Sequence, residues 1–116
     1  MFWGLAIVNM FQDMQKSIES AWDQRASLSP ATASTAIRNA VSAVMDHLDT
    51  GVLRVAEKRA GGWVTHEWIK KAVLLSFRLR DNEIMGQKPA KYFDKVSTKF
   101  ESYSANDFAV GGFRVV

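Results

Sequence analysis

A chain of 116 residues, 47% of them hydrophobic, can close one apolar core, and the composition argues for one domain. It contains no cysteine, which excludes a disulfide framework and a thiolate metal site and leaves the cytoplasm as the default compartment. The net charge of +3 raises a nucleic-acid reading. The basic residues Arg54, Lys58, Arg59, Lys70, Lys71, Arg78 and Arg80 are interleaved with Glu57, Glu67, Asp81 and Glu83. That pattern describes an ordinary solvated surface, so neither nucleic acid nor membrane is expected as a partner.

The first eleven residues, MFWGLAIVNMF, are apolar and uncharged. They fall short of the roughly 20 residues that span a bilayer and lack the basic and small-residue flanks of a secretory signal. An apolar extension over residues 1–11 is therefore expected, with the domain proper beginning after it. Met14, Ile18, Ala21 and Trp22 recur on one helical face and predict a first helix from about Gln12 to Gln24. The polar run ASLSPATAS breaks the period, with Pro30 suited to a first helical turn after Ser29. Ile37, Val41, Val44, Met45 and Leu48 then stripe a second helix, with Arg38, Ser42 and Asp46 outward and Gly51 just past its end.

From Val52 the period falls to two, and Leu53 and Val55 open a strand that turns at Ala60-Gly61-Gly62 and resumes at Trp63-Val64. The segment reads as a β-hairpin. Thr65 is the expected N-cap of a third helix, with Glu67 in its first turn. Trp68, Ala72, Leu75, Ser76 and Leu79 share one stripe, flanked by Ile69, Val73 and Phe77, so this helix is expected to be central and buried. Gly86 and Pro89 punctuate a loop before an extended piece around Tyr92 to Val96. Ser104 with Asp107 signals a capping box for a short helix, which Gly111-Gly112 ends before an extended Phe113–Val116. The fold class is α+β, mainly α: a small helical domain of three main helices, one hairpin and a C-terminal extended strand.

Nucleophile elbows, phosphate loops and dinucleotide fingerprints are absent from the sequence. His47 and His66 lack metal-ligand spacing, because Lys70 stands where a zincin motif begun by His66-Glu67 would need a second His. Both fit helix ends better. Trp22, Trp63 and Trp68 could offer stacking platforms, but core packing accounts for them more simply. Lys70 and Lys71 read as a solvated helix edge. Arg114 is the one candidate binding residue: its guanidinium fork can hold a carboxylate bidentately, although spacing alone favours a solvent-facing arginine.

The ordered series WVTHEWIKKAVLLSFR, YFDKV and GFRVV resembles the amino-terminal domain of the tetrahydrodipicolinate N-succinyltransferase family, over about residues 12–116. The resemblance implies residues 12–112 as the helical N-terminal domain and residues 113–116 as the start of a junction to a left-handed β-helix absent from this chain. It implies that Arg114 contacts the dicarboxylate substrate, and that no catalytic residue, metal or cofactor site belongs to this chain. For full-length members it implies a cytoplasmic homotrimer that acylates tetrahydrodipicolinate with succinyl-CoA as cosubstrate, in lysine and diaminopimelate biosynthesis. The β-helix domain, in cis or in trans, is then the partner, and the chain alone is expected to be inactive. The alternative from a different class is a stand-alone helical protein-interaction module without catalytic activity.

Overall fold

The computed structural model describes residues 2–86 and 88–116, with side chains in the first helix described from Gly4 onward; Met1 and Gln87 lie outside the described residues. The chain forms two compact units, residues 1–81 and residues 82–116. The single core expected from length and composition is confined to the first unit, since every buried residue among those described lies between Ile18 and Leu79.

Helix α1 runs Phe2–Asp23, and a single 3-10 turn, Arg25–Ser27, follows it. The helix therefore starts well before the expected Gln12. Leu, Ala and Met are good helix formers, no proline interrupts the stretch, and adding turns to a formed helix is far easier than nucleating one. Tertiary packing does not enforce this part, because residues 4–10 are all exposed while Ile18 and Ala21 are buried.

Helix α2 spans Thr35–Asp49 and is capped by Ser34, whose side chain accepts a bond from the Ile37 amide. Pro30 is not in its first turn. It belongs to a polar turn in which Ser29 N–H donates to Thr32 Oγ1 at 2.9 Å and the Thr32 hydroxyl donates to the Ser27 carbonyl at 2.7 Å. Gly51 adopts φ +78°, the left-handed conformation that a side chain would resist, and ends the helix as the sequence predicts. The Leu53 amide then returns to the His47 carbonyl at 3.0 Å. This bond holds residues 52–55 in the helix exit and delays the strand expected from Val52.

Strands β1 (Ala56–Arg59) and β2 (Gly62–Thr65) form the predicted hairpin, paired from Ala56↔Thr65 to Arg59↔Gly62. The ladder extends one step further, because His66 N–H donates to the Val55 carbonyl at 2.7 Å. Thr65 is thus held in the strand and cannot cap. His66 takes the cap position of α3 (Glu67–Ser76), without a side-chain capping bond.

Helix α3 packs against both α1 and α2. Its inner face is Trp68, Ile69, Ala72 and Leu75, which meet Ile18 and Ala21 of α1 and Val41 and Val44 of α2, with Leu28 and Leu79 completing the core. Full burial of each large aliphatic side chain here is worth about 1.5–3 kcal/mol. The helix is central, as its stripe implies, but not buried all round: Leu74 and Phe77 are exposed. Trp63 also departs from the expected core role, at 73% exposed on the hairpin, while Trp22 packs partly buried against the core and Trp68 lies within it.

The second unit contains an unforeseen hairpin. Strand β3 (Glu83–Met85) pairs antiparallel with β4 (Tyr92–Asp94) through Glu83↔Asp94, Ile84↔Phe93 and Met85↔Tyr92. Helix α4 (Ala105–Gly111) follows. With four α-helices and two small antiparallel pairs among the described residues, the chain is mainly helical α+β, as the sequence implies. Phe113–Val116 joins no ladder among the described residues.

Replacing Leu75 by Ala should cost about 2–5 kcal/mol in urea unfolding, whereas Leu74→Ala on the opposite face should stay within about 0.5 kcal/mol. Deleting residues 1–9 should leave the cooperative transition and the melting temperature close to those of the whole chain, because residues 4–9 of α1 are all exposed; a drop in Tm of many degrees would assign the stretch a packing role.

Candidate functional site

Arg114 owes its position to the aromatic cluster that precedes it. Ser104 caps α4 in the capping box read from the sequence: its hydroxyl accepts from the Asp107 amide at 3.3 Å, and Asp107 Oδ2 accepts from both the Ser104 amide and hydroxyl at 2.7 Å. Gly112 closes the helix at φ +70°, turning the chain back so that the Phe113 ring meets Phe100, Tyr103 and Phe108. The centroid separations of 5.3, 6.4 and 5.8 Å are those of attractive offset or edge contacts. A Cβ on Gly111 would overlap the Phe113 ring, so glycine permits this approach. Phe113 is thereby fixed, and Arg114 is the next residue along, exposed.

The guanidinium of Arg114 makes no ion pair with any described residue. It is a donor fork without an internal carboxylate partner among the described residues. Beside the cluster lies an open cleft of about 460 Å³, lined among others by Tyr103, Asn106, Asp107, Val110 and Phe113. The Ser104 hydroxyl and amide hold the Asp107 carboxyl below the usual carboxylate range.

The first unit carries a second polar group, which the sequence reading missed. Arg59 Nε donates to Glu57 Oε1 at 2.6 Å, and His66 Nε2 lies 3.1 Å from the same oxygen. Arg59 first, and His66 second, hold the Glu57 carboxyl below its usual range. The signal was available in the ladder: Glu57 sits opposite Val64, two positions before His66, so both side chains share one face of the hairpin. His66 is thus engaged at the start of α3. His47 lies in the last turn of α2, edge-on to Phe11 at 5.5 Å. Both histidines are at helix ends, and no group of three metal-ligating side chains occurs among the described residues. Lys70 is exposed and Lys71 half-buried. Arg38, expected to point outward, is half-buried and donates to the carbonyls of Pro30 and Leu79, the latter at 3.1 Å.

A depressed folded-state pKa means that Asp107 and Glu57 stabilise their elements while ionised. Their contributions should be complete above the ordinary carboxylate range and disappear as pH falls through the depressed values. Amide exchange in the first turn of α4 should accelerate relative to core amides on acidification. Ser104→Ala should remove that pH dependence and fray the helix already at neutral pH.

The family described as tetrahydrodipicolinate N-succinyltransferase N-terminal matches residues 13–79. A 2,3,4,5-tetrahydropyridine-2,6-dicarboxylate N-succinyltransferase from Bordetella avium (strain 197N) is 57% identical over 107 residues, covering 92% of this chain and 39% of the relative. The enzyme of that name from Azoarcus sp. (strain BH72) is 58% identical over 105 residues, covering 90% of this chain and 38% of the relative. The one from Burkholderia mallei (strain SAVP1) is 55% identical over 111 residues, covering 92% and 39%. The chain thus spans about two-fifths of the length of these curated relatives. A match through the helical core, joined to an identity that runs on into the second unit, makes this chain a member of the tetrahydrodipicolinate N-succinyltransferase N-terminal family.

Proposed function

We propose that this chain is the amino-terminal, substrate-binding and packing portion of an acyltransferase that moves succinyl from succinyl-CoA to tetrahydrodipicolinate, with uptake of one water, giving N-succinyl-2-amino-6-oxopimelate and CoA. The observation that carries the reading is family membership combined with an exposed Arg114 beside an anchored Phe113. In this reading Arg114 grips one substrate carboxylate bidentately and fixes the orientation of the dicarboxylate.

Water adds across the C=N bond of the cyclic imine, which makes the ring nitrogen an amine and lets the ring open to the 6-oxo form; succinyl transfer forms a bond from that nitrogen to the thioester carbonyl carbon and breaks the carbon–sulfur bond. The electron pair leaves on CoA sulfur, and the nitrogen loses a proton to a base. That base and the donors that stabilise the oxyanion are assigned to the family's β-helix domain, together with the groove for succinyl-CoA. Cytoplasmic residence and a homotrimer built mainly through that domain belong to the same proposal. The isolated chain has no turnover in this reading.

The test joins the chain in frame to the remaining carboxyl-terminal part of the Bordetella avium relative. The fusion should show succinyl transfer, and the chain alone none. In the fusion, Arg114→Ala should lower kcat/KM for the dicarboxylate roughly 10- to 100-fold, the equivalent of losing a charge-assisted contact of about 1.5–3 kcal/mol. Its effect on thermal stability should be small and on KM for succinyl-CoA slight. Arg114→Lys should recover part of the loss. Wild-type kinetics in Arg114→Ala would remove the assigned role.

A further inference from the structure

The β3–β4 hairpin exposes apolar side chains that nothing within its own unit covers. Ile84 and Phe93 are direct cross-strand partners and so project from one face, yet they are 68% and 70% exposed. No residue between Asn82 and Val116 is buried among those described. Three-residue strands in a two-stranded pair do not hold their shape in water unless one face is covered. The pair nevertheless has a full register, and its open end carries charge in the opposed Glu83 and Asp94, with Lys91 and Lys95 flanking β4. An apolar centre with a charged rim is the composition of a docking surface.

The relatives indicate the occupant. Their match takes in 92% of this chain, so it includes Glu83–Asp94 wherever it is anchored, and the chain covers only 39% of their length. The matching family region is N-terminal, so further polypeptide follows this segment in those proteins. A second copy is the less favoured occupant, since one cross-strand pair offers far less than the roughly 800 Å² per partner of a standard interface.

We propose that the Ile84–Phe93 face of the β3–β4 hairpin is the surface on which the carboxyl-terminal polypeptide of the family docks. The proposal rests on the functional reading above and assigns the packing role to particular residues. Docking buries the two apolar side chains, converts the hairpin from a solvated ribbon into one layer of an interface, and fixes the chain leading toward Arg114.

Hydrogen exchange tests this on the wild-type chain and on its fusion to the carboxyl-terminal part of the Bordetella avium relative. The amides of residues 83–85 and 92–94 should exchange at least tenfold more slowly in the fusion than in the chain alone. Ile84→Ser with Phe93→Ser should abolish that protection and lower the melting temperature of the fusion, while leaving the transition of residues 1–81 in the isolated chain unchanged. Val52→Ser, at an exposed apolar position of the first unit, should do neither. Equal exchange in the isolated chain and the fusion overturns the proposal, without recourse to any variant. So does protection in the isolated chain that rises with its concentration, which would mark a second copy as the occupant. Succinyl transfer by the fusion reads the functional proposal separately: turnover sensitive to Arg114→Ala without hairpin protection removes only the docking surface, and protection without turnover removes only the catalytic assignment.

Discussion

The first unit depends on one helix finding two partners at once. Ile69, Ala72 and Leu75 of α3 are at most 1% exposed, and they reach that state only because α1 supplies Ile18 and Ala21 while α2 supplies Val41 and Val44. A ten-residue helix is too short to persist in water by propensity alone, so its existence is a consequence of this burial. The small Ala72 and Ala21 let the backbones approach, and the larger Ile18, Ile69, Leu75 and Val44 fill the remaining space. The turns and the hairpin between these helices deliver the faces to one another or seal their margins.

The seals are polar and lie at the junctions. Arg38 bonds carbonyls on two different connections, at Pro30 before α2 and at Leu79 after α3, so one guanidinium ties both ends of the helical layer. Carbonyls at helix and turn ends have no intrahelical partner, and a planar five-donor fork suits two of them at divergent angles. The Val55–His66 backbone bond performs a similar service between hairpin and helix. It carries strand pairing up to the residue before α3, so the direction of the hairpin fixes the direction in which α3 leaves.

The second unit is organised by different physics. Its aromatic rings Phe100, Tyr103, Phe108 and Phe113 hold one another without any residue becoming buried. Edge and offset contacts supply orientation as well as affinity, which is how so small a unit presents Phe113 and therefore Arg114 in a definite place. The backbone at Arg114 is set by glycine geometry at Gly112 and by the Phe113 anchor, while the guanidinium keeps its freedom. The exposed Ile84–Phe93 pair shows the same economy, with apolar surface placed where another layer of protein can cover it.

What was written in the sequence was whatever depends on near neighbours. The stripes of α2 and α3, the glycine exit at Gly51, the Gly61-Gly62 turn and the Ser104–Asp107 capping box all act within a few residues, so spacing alone revealed them. The identity of the family was legible for a related reason, since an ordered set of such local pieces is hard to reproduce by chance. The candidate Arg114 was legible only as a chemical type, because spacing cannot say whether a guanidinium already has a partner. Tertiary structure decided the rest. Arg38 looked like an outward charge on a helical wheel, and only the arrival of the Leu79 carbonyl, 41 residues away, made it a clamp. Thr65 had the right side chain for a cap and lost the position to a backbone bond between Val55 and His66. Trp63 had the composition of a core residue and stands in solvent because its strand pairs without a layer above it. The β3–β4 hairpin left no periodic trace, because strands of three residues are too short to show one. Local chemistry determines which elements can form, and the competition among distant partners determines where each one starts, what it touches and which face remains open.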